Sequence, residues 1–195
     1  MQELLVDFIT SLDGFGAAEG WPGFWGLQGP EYMAWLGEDS AGDYTTLMGA
    51  NTYRLMSEMG GENADEEATV DELANASKIV FSSTLQAPLS WPNTQLISGD
   101  AVEAVRAMKR EGNSPMRTLG SLSLCRSLLK AGVVDRFRVV IFPVITGSTG
   151  SDRIYDGYPD VALEMVASRT FDGRIQLLEG VPRVLAGPPG VNKAP

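Results

Sequence analysis

Short apolar and β-branched runs alternate along this chain with segments of helical periodicity. The runs predict strands at residues 4–9, 45–48, 78–81, 94–97, 117–119, 137–144, 161–171 and 174–178. Helical spacing predicts helices at residues 51–59, 100–111 and 122–131, with Asp100 and Ser121 as N-caps. Strand–helix–strand alternation predicts an α/β fold with parallel pairing, and the strand-rich end predicts an antiparallel edge.

Two segments fall outside this alternation. Residues 58–68 are rich in acids and predict a solvated loop. The last ten residues hold too few apolar side chains to offset the entropy of ordering them. We therefore expect a single domain over residues 1–185 and a flexible tail over residues 186–195.

The residue types that are absent narrow the chemistry. Among 195 residues there is no histidine and one cysteine, Cys125. This excludes Ser-His-Asp triads, Cys-His pairs, histidine-based zinc sites and intrachain disulfides. A lone thiol, with no signal peptide and no long apolar run, predicts a cytoplasmic protein that needs no metal.

The net charge of −10 argues against nucleic acids and anionic membranes as partners. Both require a basic surface that releases counterions or meets lipid headgroups. A small molecule is the expected partner.

A glycine-rich segment after the first strand imitates a dinucleotide-binding fingerprint. Gly14, Gly16 and Gly20 have suitable spacing, but that fingerprint requires a helix to follow. Here Pro22 and further glycines follow and disfavour a helix, so we reject this interpretation.

Two strand–helix junctions are better candidates. One runs from Leu47 through Gly49 to Tyr53, and the other from Leu119 through Gly120 to Leu122. The N–H groups of a first helical turn bind anions, and two such junctions in one sheet could hold the two ends of one pyrophosphate. The alternative is that both are ordinary turns.

These junctions belong to a longer series of motifs. It includes residues 11–14 (SLDG), 48–53 (MGANTY) and 79–83 (IVFSS), and the run from Leu119 to Gly147. In order and spacing, the series resembles the dihydrofolate reductase family, and more closely the relatives typified by the reductase domain of bacterial riboflavin biosynthesis. The resemblance implies a three-layer α/β fold with a mixed, mostly parallel central sheet, helices on both faces and a C-terminal antiparallel hairpin.

The resemblance also implies NADPH bound along the carboxyl ends of the strands. Gly49, Asn51 and Thr52 would contact the pyrophosphate, and Gly120, Ser121 and Leu122 the pyrophosphate and nicotinamide ribose. Ser82 and Ser83 would lie beside the adenosine ribose, unless they are simply a solvated strand end. Many relatives have a basic residue where this chain has Ala50, so NADH is a possible alternative to NADPH.

The substrate side is less defined. In dihydrofolate reductases a carboxylate on the helix after the first loop holds the substrate ring, and the matching position falls near Glu31. Glu31 is thus one catalytic candidate and Asp13 a second. The alternatives are that Glu31 only favours the helix dipole and that Asp13 only caps its turn. Aromatic residues between Trp21 and Trp35 form either a lid that stacks on a flat ring or a loop packed over the sheet or into a dimer contact.

Together these features predict an NAD(P)H-dependent reductase. It would transfer hydride to a C=N or C=O group of a pteridine, pyrimidine or similar flat heterocycle. The alternative is a non-catalytic nucleotide- or pterin-binding protein of the same fold, which Ala50 and Leu122 favour. A hairpin signal at Asp172-Gly173 predicts a late sheet edge, and the relatives imply a homodimer.

Overall fold

The computed structural model describes residues 2–20, 24–40, 42–58, 73 and 75–190. Its strands are β1 (Leu4–Ser11), β2 (Phe15–Ala18), β3 (Thr45–Gly49), β4 (Lys78–Phe81), β5 (Thr94–Ile97), β6 (Met116–Thr118), β7 (Arg136–Phe142), β8 (Gly150–Arg153), β9 (Val161–Phe171) and β10 (Ile175–Val184). Its α-helices are α1 (Pro30–Ser40), α2 (Ala50–Glu58), α3 (Ala101–Glu111) and α4 (Leu122–Lys130).

An eight-stranded sheet in the order β5-β4-β3-β6-β1-β7-β10-β9 forms the centre of the molecule. The first six strands in this order are parallel, whereas β10 is antiparallel to both β7 and β9. The carboxyl ends of the parallel strands therefore share one edge, and β2 and β8 form a small antiparallel pair beyond β1. This confirms the predicted mixed, mostly parallel sheet with a C-terminal antiparallel hairpin.

Alternate residues along the strands point to opposite faces of the sheet, and a layer of helices packs on each face. Leu47 packs on one face with residues of α3 and α4, such as Val105 and Leu128. Its neighbour Met48 points to the other face and packs with Tyr53 of α2. On that same face α1 contributes Tyr32 to an aromatic cluster with Phe142 and Phe171. The side-chain period of two along each strand thus gives the sheet an apolar surface for helices on both sides.

A buried ion cluster fixes α1 to the sheet. The guanidinium of Arg138 on β7 donates at 2.7 Å to both Asp7 on β1 and Asp39 on α1. Arg117 on β6 also contacts Asp39, at 2.6 Å. Burial alone would lower the pKa of Arg138, but the hydrogen bonds to the two carboxylates more than offset this and raise it. Arg138 therefore stays charged.

Some element boundaries differ from the sequence prediction. β10 continues to Val184, past the predicted end at Leu178, and β2 and β8 were not predicted. Asp100 caps α3 as predicted. Ser121 occupies the predicted position before α4, but the predicted capping hydrogen bond is wrong. The residue has φ +64°, and its side chain makes no hydrogen bond to the first turn of the helix. Its hydroxyl instead accepts a hydrogen bond from the N–H of Gly49, at the neighbouring junction.

Parts of two predictions concern residues that the structure does not describe. The acidic segment beyond Glu58 and the last five residues of the predicted tail lie outside the described ranges. None of the described helices is long and apolar enough to span a membrane.

Candidate functional site

The two predicted strand–helix junctions are in direct contact at the carboxyl edge of the sheet. The N–H of Gly49, at the end of β3, donates to Oγ of Ser121 across 2.6 Å. That hydroxyl lies 2.7 Å from Oγ1 of Thr52 in the first turn of α2. Because β3 and β6 are adjacent parallel strands, the loops that follow them start side by side. The structure thus brings Gly49, Thr52 and Ser121 into one cluster.

Glycine at both junctions leaves room for this close approach. A Cβ on Gly49 would lie 3.0 Å from Oγ of Ser121. Gly120 has φ +55°, which disfavours side chains, and a Cβ there would lie 3.3 Å from Oγ1 of Thr52. The sequence predicted that Gly49 admits a phosphate, but its close neighbour in the structure is Ser121.

The cluster still fits an anionic ligand. The first N–H groups of α2 and α4 have no acceptor within their helices, and both helices begin at this edge. Leu122 begins α4 and is half-buried. Below it, the thiol of Cys125 donates to the carbonyl of Gly120, and burial raises its pKa to about 12. Cys125 is therefore an unreactive packing residue.

The loop after β4 lies next to this cluster. Ser82 Oγ accepts hydrogen bonds from the N–H groups of Thr84, at 3.1 Å, and Leu85, at 3.0 Å. Ser83 is exposed. Ser82 thus shapes the turn, while Ser83 has its side chain in solvent.

Arg54 connects this loop to α2 through a contact that the sequence did not predict. Its guanidinium donates to Oδ1 of Asn51 at 3.2 Å and to Oγ1 of Thr84 at 3.5 Å. The spacing of three residues between Asn51 and Arg54 places them on one helical face. Nothing in the sequence indicates the bond to Thr84, thirty residues away.

Asp13 holds the loop after β1 against the loop after β7. Its carboxylate accepts bonds from the hydroxyl of Ser11 at 2.7 Å and from the N–H groups of Thr146 and Gly147 at 3.2 and 2.9 Å. The Ser11 bond and these two backbone bonds lower the pKa of Asp13 to about 2. Such a group is ionised at neutral pH and accepts protons poorly.

Glu31 is held in a reciprocal pair with Asp172 of the β9–β10 turn. Asp172 accepts bonds from the N–H groups of Glu31 and Tyr32, at 3.0 and 3.1 Å, and so caps α1. In return, Glu31 accepts the N–H of Asp172 at 2.7 Å. Gly29 leaves room for this pair, because a Cβ there would collide with the carboxylate of Asp172.

The aromatic segment packs over the end of β7. Phe24 and Trp25 have ring centroids 6.0 and 5.6 Å from that of Phe142, and Tyr32 meets Phe142 edge to face at 5.2 Å. Tyr32 is fully buried, and its burial raises the pKa of its hydroxyl. This is the packed-loop alternative for the described part of the segment; Trp21 lies outside the described residues.

The predicted site residues thus fall into three groups at one edge of the sheet. Gly49, Thr52, Gly120 and Ser121 are in mutual contact, and Arg54 links Asn51 to the loop that holds Ser82 and Ser83. Glu31 and Asp13 form separate pairs with Asp172 and with the β7 loop. Within the described residues, no hydrogen bond joins either acid to the junction cluster.

Comparison with known proteins agrees with this fold. Residues 2–177 match the family model of the RibD C-terminal domain. The match spans most of the chain, so the chain belongs to the RibD C-terminal domain family, and the resemblance inferred from the motifs is confirmed.

Individual relatives are distant. The chain is 25% identical over 182 residues to the uncharacterized protein YyaP of Bacillus subtilis (strain 168), covering 91% of this chain and 94% of that protein. A Shewanella sp. PV-4 structure, provisionally assigned to riboflavin biosynthesis, superposes with a TM-score of 0.73 at 16% identity, covering 93% of this chain and 99% of that one. A pyrimidine reductase-like protein of Corynebacterium diphtheriae gives a TM-score of 0.65 at 16% identity, covering 93% and 92%. At these identities both structures establish the fold.

Proposed function

We propose that this protein is an NAD(P)H-dependent reductase that transfers hydride to a C=N or C=O group of a flat heterocycle such as a pteridine or pyrimidine. The observation that carries the proposal is the contact between the Gly49 and Gly120 junctions at the carboxyl edge of the sheet. Ligands of open α/β sheets bind at this edge. The description of the Corynebacterium neighbour as pyrimidine reductase-like supports the reaction class.

The family resemblance assigns the cofactor-binding residues, which lie at this same edge. First-turn N–H groups of α2 at Asn51 and Thr52 would bind the pyrophosphate beside Gly49. Gly120, Ser121 and Leu122 would face the pyrophosphate and the nicotinamide ribose, with Ser82 and Ser83 beside the adenosine ribose. When bound, the nicotinamide supplies the hydride, and the protein supplies orientation and exclusion of water.

The acids are assigned supporting roles in this proposal. Glu31 orders the start of α1 through Asp172, and Asp13 orders the loops after β1 and β7. With a pKa of about 2, Asp13 holds no proton to donate at neutral pH. Glu31 remains the candidate that orients the substrate ring, and the proton would reach the product through water.

Binding and single-turnover experiments test the proposal. NADPH or NADH at about 100 times its Kd should add roughly 2.7 kcal/mol of stability and raise the Tm. Thr52→Val should reduce this shift, whereas Thr94→Val, at the opposite ends of the strands, should not. A missing shift with both cofactors at millimolar concentration would contradict the proposal.

The second candidate function is a non-catalytic nucleotide- or pterin-binding protein, which Leu122 at the start of α4 favours. Loss of NADPH absorbance in one turnover with reducible pteridines and pyrimidines distinguishes the two. Ligand-induced stabilisation without any oxidation across that set would favour the binding protein.

We also propose the setting in which the protein acts. Residues 1–185 would form one domain, followed by a flexible tail, and the protein would act in the cytoplasm as a homodimer. The β9–β10 hairpin supports the dimer, because Leu163, Met165 and Val184 are exposed apolar residues on it.

A further inference from the structure

A cavity of about 580 Å³ opens at the amino ends of the parallel strands, at the edge of the sheet opposite to the two junctions. The first residues of β3, β4 and β5 line it, together with Met108 and Gly112 at the end of α3. Small-molecule sites typically have volumes of about 300–1,000 Å³. The cavity is therefore large enough for a small ligand, and its lining residues in the described chain are separate from the proposed cofactor site.

This cavity has an apolar floor and an uncharged polar rim. Ile79 and Met116, which are 7% and 2% exposed, form the floor together with Met108. The rim consists of hydroxyls and carboxamides, from Thr45, Ser77, Asn93, Gln95, Asn113 and Ser114. Within the described residues, the side chains of Ser77, Gln95 and Asn113 make no hydrogen bond, so their donors and acceptors remain available to a ligand.

The described residues direct no charged group into this cavity. Lys78 is among the lining residues, but its ammonium donates to the carbonyls of Leu73 and Ala76, at 2.9 and 2.6 Å. The ammonium lies 5.4 Å from the ring centroid of Trp91, which packs on the face of the sheet opposite to α3. In addition, α3 ends at the cavity, and the carbonyls of a last helical turn carry partial negative charge. These features disfavour phosphates and carboxylates as ligands.

We propose that this cavity binds an uncharged polyhydroxylated ligand, a sugar or a sugar alcohol, at a site separate from the proposed cofactor site. A hydroxyl is both donor and acceptor, so two neighbouring hydroxyls can pair with the amide group and the carbonyl of one carboxamide, such as that of Gln95 or Asn113. The carbonyls at the end of α3 can accept further hydroxyls. The C–H groups of the same ligand pack on the apolar floor.

Titrations followed by proton–nitrogen NMR correlation spectra test this assignment. The ligands are D-glucose, D-ribose and D-sorbitol at up to tens of millimolar, with glucose 6-phosphate as the charged comparison. The proteins are the wild type, Gln95→Ala, Asn113→Ala and Gln86→Ala. Gln95 and Asn113 are exposed, so their replacement should leave the fold intact. Gln86 is a matched control, because it is also an exposed carboxamide but lies in the loop after β4, which packs on the opposite face through Leu85 and Leu89.

At least one of the three neutral ligands should produce saturable shifts of the side-chain amides of Gln95 and Asn113 and of the backbone amide of Gly112. Gln95→Ala and Asn113→Ala should each weaken binding of that ligand by about three- to tenfold, as expected for the loss of one hydrogen bond. Gln86→Ala should match the wild type. Glucose 6-phosphate should bind more weakly than glucose, and saturating NADPH should leave binding of the neutral ligand unchanged.

Four results would overturn the assignment. The first is the absence of saturable shifts with all three neutral ligands, and the second is unchanged affinity in both alanine variants of the rim. Tighter binding of glucose 6-phosphate than of glucose would contradict the argument from charge. Competition between the neutral ligand and NADPH would place that ligand in the cofactor site. Each of these results leaves the proposed reductase function intact, whereas failure of NADPH to bind would contradict only the proposed function.

Discussion

Ser121 accepts the backbone N–H of Gly49 across 2.6 Å, which joins two strand–helix junctions that are 72 residues apart in sequence. The same hydroxyl contacts Thr52, so one side chain holds the first turn of α2 beside the start of α4. Ser121 has φ +64°, a backbone conformation that residues other than glycine rarely adopt. The contact is therefore maintained at a cost in backbone energy, as is common at functional sites.

Two substitutions of Ser121 distinguish the stabilisation that its hydroxyl gives from the energetic cost of its backbone conformation. Ser121→Ala should lower the free energy of unfolding by about 1–2 kcal/mol, since the N–H of Gly49 loses its acceptor. Ser121→Gly should cost about 1 kcal/mol less than Ser121→Ala, because glycine relieves the positive φ. Urea unfolding measures both. Ser127→Ala, on the exposed side of the same helix, is the control, and equal losses at the two positions would refute a special role for Ser121.

The Glu31–Asp172 pair predicts how α1 is anchored. Asp172→Ala should lower the free energy of unfolding by about 1–2 kcal/mol because α1 loses its cap, and Asp172→Asn should lower it less, since asparagine also caps and tolerates φ +50°. Gly29→Ala should reproduce the alanine effect by displacing Asp172. Thermal unfolding measures all three. A stable Gly29→Ala variant would show that the pair is not needed.

Glu31→Gln distinguishes a structural role of Glu31, measured as stability, from a catalytic role, measured as turnover. An amide oxygen can still accept the N–H of Asp172, so stability should change by less than about 0.5 kcal/mol. A large loss of turnover in this stable variant would assign Glu31 to the substrate, whereas unchanged turnover would leave it as a structural residue.

Disrupting the ion cluster beneath α1 should lower the free energy of unfolding more than the substitutions above. Arg138 is 5% exposed, and among the described residues Arg138→Met leaves Arg117 as the one remaining ionic partner of Asp7 and Asp39. We expect a loss of about 3–5 kcal/mol, because removing one partner leaves buried charge uncompensated. Arg106→Ala, which breaks an exposed pair with Glu103, should cost less than about 1 kcal/mol. Similar losses in these two variants would contradict the burial argument.

The pKa of Asp13 predicts an acid-sensitive contact. The carboxyl has a pKa of about 2 in the folded protein and an ordinary value of 3.8, so folding favours its ionised form. The stabilisation from this group is thus complete above about pH 4 and is lost as the pH falls towards about 2. The stability difference between wild type and Asp13→Asn should shrink over that interval in urea titrations. A difference that stays constant with pH would be inconsistent with the hydrogen bonds from Ser11, Thr146 and Gly147.

Local sequence signals predicted much of the fold, and the failures have physical causes. β9 has the predicted bounds, because eleven consecutive residues contain only one acid, Glu164, and no glycine or proline. β10 was predicted too short because Gly180 and Pro182 normally interrupt strands, yet here they lie on a hairpin beside a register shift at Glu179/Gly180. β2 and β8 are short and contain Gly16 and Gly150, so they have little strand signal.

The site was predictable only where its signal was local. Glycine at the end of a strand marked Gly49 and Gly120, and the motif resemblance added the serines. The cap that Asp172 gives to α1 joins residues 140 and 141 positions apart, and no periodicity encodes such a distance. The bond from Arg54 to Thr84 is of the same kind. Long-range polar contacts depend on the assembled sheet and therefore required the structure.

The β9–β10 hairpin predicts how two copies of the chain associate. Pairing places Val161 opposite Val184 and Leu163 opposite Pro182, so Val161, Leu163, Met165 and Val184 share one face of the hairpin. Leu163, Met165 and Val184 are 38%, 51% and 40% exposed, which is costly for a monomer in water. The register shift beside Val166 disrupts the outer edge of β9, and this favours packing through the face over extension of the sheet.

We therefore expect a homodimer of about 42 kDa, twice the 20.9 kDa of the chain, which light scattering measures directly. Met165→Glu should convert it to a monomer, because a carboxylate in the centre of the apolar face would be buried without a partner. Ala167→Glu, which is exposed and opposite Glu179 on the other face of the hairpin, adds the same charge outside the apolar face and should leave the dimer intact. A wild-type monomer at tens of micromolar would refute the dimer, and dissociation by both variants would show that the edge of β9, not this face, forms the contact.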